Sequence, residues 1–225
     1  MRHVNRIAEK HGLLVVEDAA QALGSKNCDG FLGTQSKIGC FSLSVAKIIS
    51  SGQGGFLVTD DDNLAQKLRA IRTHGVESVK DPSSWPMLGF NFRFTDVLAS
   101  IGLAQLSLID QRVEKLLSLY EHYVEGVSGT NLKIIPMDLE HGEVPLYVEC
   151  VVDMARNDWT RYLDSCDIDT RPFYPSIHRA PYLGTFEKKY PNSLEFEKRG
   201  LYLPSGPCQP LTNADICIEA VKNRS

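Results

Sequence analysis

Four polar features in the first half of the sequence lie where predicted strands end, and each consists of residues that could take part in chemistry. The acid pair Glu17-Asp18 follows the apolar run at residues 13–16. Ser42 lies in a second apolar run, Lys47 follows it, and the Gly-rich stretch "SSGQGG" covers residues 50–55. Ligands bind at the carboxyl ends of the strands in open α/β sheets, so we expect these features to share one edge of a sheet.

Each feature alone also has an ordinary structural explanation. The acid pair could cap the turn after its strand, Ser42 could be a buried hydroxyl, and Lys47 could extend its apolar stem along the surface with its amine in water. The stretch at 50–55 could cradle a phosphate through backbone N–H groups, but it matches neither G-x-x-x-x-G-K-[ST] nor G-x-G-x-x-G. A tight turn that returns the chain to the sheet is therefore the better interpretation of this stretch.

Together the features fit the chemistry of pyridoxal 5'-phosphate. This cofactor needs a lysine amine for covalent attachment, a carboxylate against its ring nitrogen, and hydroxyl or N–H donors for its phosphate. Asp18 would keep the ring nitrogen protonated, so that the ring can accept electrons from the substrate. Lys47 would then carry the substrate proton. For that its pKa must fall, and both burial and a nearby cation lower a lysine pKa.

Five segments carry a resemblance to a known family. They are "VVEDAAQALGS", "GCFSLSVAKIISSGQGGFLVTDD", "IRTHG", "GFNFRFTDVLASIGLAQL" and "RPFYPSIH" followed by "PY". Their order and their spacing match: Asp18 precedes Gln21 by three residues and Lys47 by twenty-nine, and Ser42 precedes Lys47 by five. The sequence resembles the DegT/DnrJ/StrS family of pyridoxal-phosphate-dependent sugar aminotransferases nearly from end to end.

The resemblance implies a role for each matching position around the cofactor. Lys47 resembles the catalytic lysine that binds the cofactor covalently and moves the proton, and Asp18 resembles the carboxylate at the ring nitrogen. Gln21 resembles the residue that lies over the ring or its hydroxyl, and Ser42 resembles the hydroxyl that holds the phosphate. Asn91 resembles the asparagine that reaches the phosphate from the partner subunit, which implies a homodimer.

Three further positions resemble substrate-binding residues of the family: Arg93, Tyr174 and His178. His178 lies in a predicted loop and could equally be a surface residue. The implied reaction transfers an amino group from an amino acid, with glutamate as the expected donor, to a keto group of a nucleotide-linked deoxysugar in amino-sugar or surface-polysaccharide synthesis. Gln53 stands where family members commonly carry glutamate.

Two alternative functions stay open from the sequence. The family has a sugar dehydratase branch in which histidine replaces the attachment lysine, and Lys47 argues against that branch. A catalytically silent fragment or regulatory protein of the same fold is the second alternative, because family members carry a substantial portion upstream of "HGLLVVEDAA" that is not in this sequence. The expected consequences are exposed apolar surface on the strand at 13–16 and doubtful activity.

The elements that must position these residues follow an α/β rhythm. Helical periodicity predicts five helices: at 4–11, from Asp61 or Asp62 to Gly75, from Thr95 to Gly126, at 156–166, and at the C-terminus from Thr212. Apolar runs predict five strands, at 13–16, 38–43, 56–59, 132–135 and 146–152. We expect a fold-type I transferase-like α/β fold. Residues 1–115 would form part of a large cofactor-binding domain with a mostly parallel sheet. The succession of three strands in this part suggests that the sheet is mixed. Residues 116–225 would form a smaller α+β domain.

Composition excludes several functional classes. The 225 residues are 43% hydrophobic with a net charge of −4, which is typical of an ordinary globular protein and argues against nucleic-acid binding. No apolar run reaches the ~18 residues that a membrane span needs. The six cysteines show neither a C-x-x-C pair nor metal-ligand spacing, so free thiols, no metal site and a cytoplasmic location are expected.

Overall fold

The computed structural model describes residues 1–80, 84–153, 155–184 and 190–224, and the chain forms two compact units. Unit 1 comprises Met1–Gln111 and Leu139–Val144, and unit 2 comprises Arg112–Asp138 and Pro145–Ser225. The division into domains 1–115 and 116–225 stays a prediction. Residues 81–83 lie outside the described residues.

Unit 1 alternates helices with short strands. Its elements are α1 (Arg2–Lys10), β1 (Val16–Asp18), β2 (Lys26–Asn27), β3 (Gly30–Phe31), β4 (Ile38–Ser42), β5 (Gly55–Val58), α2 (Asp62–Arg72) and α3 (Asp96–Leu106). The helix α4 (Ile109–Gly126) begins in unit 1 and continues into unit 2. The hairpin of β2 and β3 has no counterpart among the sequence predictions, because two-residue strands carry no detectable periodicity.

The main sheet of unit 1 is mixed and has the order β1-β4-β5. β1 pairs with β4 in parallel, with Val16 opposite Ile38 and Asp18 opposite Cys40, and β4 pairs with β5 in antiparallel register. The predicted buried strand at 13–16 is wrong at its start. β4 begins opposite Val16, so the two preceding leucines have no partner strand there, and Leu13 and Leu14 are 62% and 81% exposed.

A buried carboxylate fastens β1 to the loop that follows β3. The Glu17 side chain accepts hydrogen bonds from the backbone N–H of Gly33 at 2.6 Å and of Gln35 at 3.2 Å. The approach is close, because a Cβ at Gly39 would collide with the carbonyl oxygen of Gly33. Since Asp18 is the next residue, this attachment also fixes the backbone that carries Asp18.

Two helices of unit 1, α2 and α3, begin where the sequence predicted them. The Asp61 side chain caps α2 by accepting from the N–H of Leu64 at 3.0 Å, and Thr95 caps α3 through the N–H of Leu98. The single long helix predicted from Thr95 is wrong: α3 ends at Leu106 and α4 starts at Ile109. The Ser107 hydroxyl donates to the carbonyl of Ala104 at 2.8 Å, a local bond of the kind that competes with helix continuation.

Unit 2 is built on an antiparallel sheet with the order β6-β7-β9-β8. Its remaining elements are β6 (Leu132–Ile134), β7 (Val148–Val152), α5 (Arg156–Ser165), β8 (Arg171–Pro172), α6 (Pro191–Arg199), β9 (Gly200–Leu203) and α7 (Leu211–Arg224). The sequence predicted β6, β7 and α5 within a few residues. It missed β8, α6 and β9. Of these, β9 is an inner strand that lies between β7 and β8 in the sheet.

In the core of unit 2, residues of α4, α5 and α7 pack against one face of this sheet. Its largest fully buried side chains include Tyr123, Trp159, Leu163, Cys150 and Val221. The Tyr123 hydroxyl donates to the carbonyl of Pro204 at 2.9 Å, which satisfies its polar end. Burial raises the pKa of Cys150, and it raises the pKa of Cys217 to about 11, so both thiols stay protonated at neutral pH. All six cysteines are free.

The described residues contain neither a membrane-crossing helix nor a metal-binding group of side chains. No helix in these parts of the chain combines the length and the apolar character that a membrane crossing requires. No group of three or more His, Cys, Asp or Glu side chains within the same residues is placed to hold a metal ion.

The anchoring role of Glu17 predicts a stability loss when its charge is removed. The two N–H groups bind different oxygens of Glu17, and in Glu17→Gln one of these oxygens becomes an NH2 group that cannot accept. We therefore expect the free energy of unfolding to fall by about 1–3 kcal/mol. The exposed Glu9 of α1 provides the matched control, and Glu9→Gln should leave the urea midpoint nearly unchanged. Equal urea midpoints for the two variants would show that Glu17 does not hold this loop.

Candidate functional site

The parallel pair β1 and β4 brings Asp18 to one edge of the unit 1 sheet. Asp18 is the last residue of β1 and lies opposite Cys40, and the N–H of Ala19 donates to the Cys40 carbonyl at 2.9 Å. The Asp18 carboxylate is exposed and accepts from the N–H of Ala20 at 3.0 Å. Ser42, the last residue of β4, lies two residues beyond Cys40, so both polar side chains sit at the carboxyl ends of neighbouring strands.

Lys47 lies in the turn that leaves β4 and is half-buried. Its N–H donates to the Ser44 carbonyl at 3.1 Å, and the buried side chains of Ile48 and Ile49 follow it, so its backbone is held against the core of unit 1. Burial lowers the pKa of Lys47, while the carboxylate of Asp18 acts in the opposite direction with the smaller effect. The two side chains are thus electrostatic neighbours despite the twenty-nine residues between them.

An amine in this state can do two kinds of chemistry. A lysine whose pKa is lowered is more often neutral, and a neutral amine can attack a carbonyl carbon or take up a proton from a substrate. The same burial raises the pKa of the Cys40 thiol, and Asp18 adds to that effect, so Cys40 is not an activated nucleophile. Lys47 therefore stays the predicted reactive group of this cluster.

Hydroxyl and amide donors surround the end of β4. The Ser42 hydroxyl lies 3.2 Å from the Ser44 hydroxyl, and the Ser44 N–H donates to Ser42 at 3.3 Å. Grouped donors of this kind can hold an anion such as a phosphate. Sequence reasoning selected Ser42 but missed Ser44, although the spacing "S-L-S" at the end of a strand was a usable signal.

The Gly-rich stretch at 50–55 is a bend that returns the chain to the sheet. The Leu43 N–H donates to the Gly54 carbonyl at 2.9 Å, and the Ser51 N–H donates to the Leu43 carbonyl at 3.0 Å. Gly54 has a φ of +101°, and a Cβ there would come within 2.5 Å of the Phe94 ring. These contacts agree with the interpretation of the stretch as a turn.

Gln21 lies near the strand end but outside the hydrogen-bonded cluster. It is exposed, in the turn that follows β1, where the N–H of Ala22 donates to the carbonyl of Ala19 at 3.0 Å. Within the described residues, no hydrogen bond joins its side chain to Asp18 or Lys47. Its role over a bound ring stays a prediction.

Asn91 and Arg93 form a separate exposed pair in unit 1. The Arg93 Nε donates to the Asn91 Oδ1 at 2.9 Å, and Asn91 forms an isolated bridge with Thr73 at the end of α2. The rings of Phe90 and Phe92 stack with their centroids 5.0 Å apart. In the part of the chain that the structure describes, this pair makes no hydrogen bond to the Lys47 cluster.

Tyr174 and His178 belong to unit 2. The Tyr174 ring is 71% exposed and lies under the guanidinium of Arg171, with 5.2 Å from the guanidinium carbon to the ring centroid. His178 lies in a short 3₁₀ turn at residues 177–179, is half-buried, and has its ring centroid 4.7 Å from that of Tyr190. Two of the three side chains that are predicted to bind substrate, Tyr174 and His178, therefore lie in unit 2.

Comparison with known proteins relates the whole chain to one family. The model of the DegT/DnrJ/EryC1/StrS aminotransferase family matches residues 1–222. The GDP-perosamine synthase of Caulobacter vibrioides is 32% identical over 230 residues, which cover 96% of this chain and 59% of that protein.

Two further similarities come from Streptomyces venezuelae. A dTDP-3-amino-3,4,6-trideoxy-alpha-D-glucose transaminase is 30% identical over 227 residues, which cover 99% of this chain and 59% of that protein. The crystal structure of S. venezuelae DesV in complex with a ketimine intermediate is 29% identical, with a TM-score of 0.88 over 98% of this chain and 60% of that chain. The chain thus spans about 60% of the length of the relatives that it matches.

The electrostatic link between Asp18 and Lys47 can be tested without any ligand. Because Asp18 raises the pKa of Lys47 and burial lowers it, Asp18→Asn should lower this pKa further. The measurement is an NMR titration of the protein after reductive ¹³C-methylation of its lysines. Asp60→Asn, which changes an exposed aspartate of the same unit, should leave the titration of Lys47 in place. A rise in the pKa of Lys47 on Asp18→Asn would contradict the predicted arrangement.

Proposed function

The chain belongs to the DegT/DnrJ/EryC1/StrS aminotransferase family, and from this premise we propose that it acts as a pyridoxal-phosphate-dependent transaminase. The proposed reaction moves an amino group from an amino acid, with glutamate as the expected donor, to a keto group of a nucleotide-linked deoxysugar. The observation that carries the proposal is the environment of the half-buried Lys47 amine. Burial lowers the pKa of this amine, and the Asp18 carboxylate raises it by a smaller amount.

The residues at the edge of the unit 1 sheet fit the cofactor. Asp18 is a carboxylate at a strand end and suits a protonated ring nitrogen. Lys47 is an amine close enough for the charge of Asp18 to raise its pKa. Ser42 and Ser44 provide grouped donors for a phosphate. When bound, pyridoxal phosphate supplies an electron sink for the bonds at the substrate carbon.

Each residue then has a task that follows from its chemistry. Asp18 would stabilise a positive charge at the ring nitrogen through its own negative charge. Ser42 and Ser44 would hold the phosphate through hydroxyl and N–H donors, and Gln21 would lie against the ring. The Nζ of Lys47 would attach the cofactor and, when free, would accept a proton from the donor carbon and release it again. A lowered pKa assists this task, because the amine must be neutral to accept the proton.

The substrate class rests on the relatives and on three residues. Two of the relatives are by name a GDP-perosamine synthase and a dTDP-aminosugar transaminase, so a nucleotide-linked sugar is the proposed amino acceptor here. Arg93, Tyr174 and His178 are the proposed substrate-binding side chains. All three offer donors suited to phosphate, carboxylate or sugar hydroxyl groups.

A homodimer in the cytoplasm is part of the proposal. Asn91 is exposed and pairs with Arg93 rather than with the Lys47 cluster, which supports its predicted role in the site of a partner subunit. The apolar helix α3, which has no buried residue, offers a surface for such an assembly. Free cysteines are consistent with a reducing compartment.

A catalytically silent role is the second candidate, and one observation favours it. Leu13 and Leu14, which precede β1, and Val16 at its start are exposed, so apolar surface faces solvent beside the candidate site. No comparable observation favours the dehydratase alternative, because Lys47 stands where that branch carries histidine.

Covalent attachment of the cofactor tests the proposal directly. We expect that borohydride treatment of the protein with pyridoxal phosphate fixes the cofactor on the peptide that contains Lys47, as shown by peptide mass spectrometry. Lys47→Ala should abolish this labelling together with the visible absorption of the complex. Lys67→Ala, which removes an exposed lysine of α2, is the matched control and should leave both signals intact.

Turnover of the amino donor separates the transaminase from the silent fragment. A transaminase loaded with pyridoxal phosphate should convert glutamate to 2-oxoglutarate, up to one equivalent per site without an acceptor and catalytically with a keto-sugar nucleotide. Labelling of Lys47 without any 2-oxoglutarate would support the silent alternative. Labelling that persists in Lys47→Ala would contradict the assigned attachment residue.

A further inference from the structure

The segment "IRTHG" at residues 71–75 ends α2 and has no task in the proposed reaction. His74 in this segment has a φ of +58°, which lies in the left-handed region that residues with a side chain seldom adopt. Gly75 follows with a φ of +81°. Backbone strain at a non-glycine residue persists only where the surrounding structure holds it, and it occurs most often at functional sites. The contacts that hold His74 therefore bear on function.

The C-terminal end of α2 replaces one of its usual hydrogen bonds by contacts with a distant segment. In a common helix ending, two N–H groups beyond the helix donate to carbonyls five and three residues earlier. Gly75 makes the first of these bonds, to the Ala70 carbonyl at 2.9 Å. The His74 N–H donates instead to the Phe90 carbonyl at 2.9 Å, and the Ile71 carbonyl accepts from the Phe90 N–H at 2.7 Å. The backbone of Phe90 thus takes the place of the second bond.

The same contacts fix the backbone on both sides of Asn91. The Phe92 N–H donates to the carbonyl of Arg72 at 3.0 Å, which satisfies a further carbonyl of the last helical turn. Asn91 lies between Phe90 and Phe92 and forms its bridge with Thr73. We call this contact between residues 71–75 and 89–92 the α2 junction. It holds a residue that is otherwise exposed in an irregular segment.

The two backbones of the α2 junction approach too closely for side chains at two positions. A Cβ at Gly89 would lie 1.9 Å from the Gly75 nitrogen, and a Cβ at Gly75 would lie 1.9 Å from the carbonyl oxygen of Met87. Both collisions are with backbone atoms, which cannot swing aside as a flexible side chain can. The junction therefore requires both glycines together with the left-handed conformation of His74.

We infer that the α2 junction positions Asn91, with His74, Gly75 and Gly89 as positioning residues that act through it. The ligand of Asn91, a cofactor phosphate, rests on the proposed function, whereas the fixed backbone of Asn91 rests on the junction itself. An asparagine in a free loop would lose backbone entropy when it binds a ligand. The junction removes this freedom beforehand, so that the Asn91 side chain is presented from a fixed backbone.

The positioning of Asn91 can be measured without a ligand. The Arg93 Nε–H donates to the Asn91 Oδ1 at 2.9 Å, so its resonance in ¹⁵N-labelled protein, assigned with Arg93→Lys, reports the place of the Asn91 side chain. His74→Val puts a β-branched residue where it is strongly disfavoured and should move this resonance toward its position in Asn91→Ala. His74→Asn, which tolerates the left-handed conformation, should leave it in place. An unchanged resonance in His74→Val would overturn the inference.

The consequence for phosphate binding follows from the dissociation constants of pyridoxal phosphate and of pyridoxal, which lacks the phosphate. Asn91→Ala should reduce the preference for pyridoxal phosphate by about tenfold, as expected for one hydrogen bond to a charged group. Asn63→Ala, which changes an exposed asparagine of α2, is the matched control and should keep the preference. His74→Val should reduce the preference several-fold, and His74→Asn should retain it.

A double variant separates positioning from a general loss of stability. In a chain that already carries Asn91→Ala, His74→Val should cause no further loss of preference, because the junction acts through Asn91. The urea midpoint, by contrast, should fall on His74→Val in both backgrounds. Gly89→Ala introduces the backbone collision and should act as His74→Val does, with a larger effect. If Gly89→Ala prevents folding, the milder His74→Val decides the question.

The results distinguish this inference from the transaminase proposal. Additive losses of preference in the double variant, or an unchanged preference in either His74→Val or Asn91→Ala, would overturn the inference. Labelling of Lys47 by borohydride does not depend on Asn91, so the transaminase proposal could stand in each of these cases. If the chain bound neither compound, the transaminase proposal would fail, and the Arg93 resonance would still decide whether the α2 junction positions Asn91.

Discussion

The parallel pairing of β1 with β4 is the constraint on which the candidate site depends. Only three residue pairs form this ladder, yet they put Asp18 opposite Cys40 and bring the chain to Ser42 and Lys47 at the same edge. A ladder this short needs support, and Glu17 provides it by accepting two backbone N–H groups from the loop after β3. Glu17 anchors the strand and Asp18 lies at the candidate site. Adjacent residues can serve these two purposes because successive side chains of a strand point to opposite faces.

The protonation state of Lys47 follows from two opposing effects of this arrangement. Burial next to Ile48 and Ile49 favours the neutral amine, and the Asp18 carboxylate favours the charged one; burial has the larger effect. A fully exposed lysine would stay protonated at neutral pH, and an unpaired, fully buried one would lose most of its charge. The net lowering of the Lys47 pKa favours the neutral amine, which is the form that the proposed reaction requires.

The sequence predicted the fold class and the shared sheet edge of Asp18 and Ser42, while the chemical roles of Asp18, Ser42 and Lys47 stay predictions. The sheet edge could be predicted because strand ends, turn residues and their spacing are local signals, and the cap at Asp61 was found for the same reason. The start of β1 was misplaced because exposure of Leu13 and Leu14 depends on where β4 begins, which is not a local property. β9 was missed because three of its four residues are buried by neighbours from distant parts of the chain.

The two cations that the structure singles out are held in similar ways but suit different tasks. Lys47 and Arg171 each follow from strand register, and each lies against apolar or aromatic groups of its own unit. Lysine responds to such surroundings by a shift of its pKa, whereas arginine keeps its charge at any physiological pH. The same kind of environment therefore shifts the acid–base equilibrium of Lys47 and leaves the charge of Arg171 unchanged. Residue type, more than the degree of burial, decides which of the two side chains could take part in proton transfer.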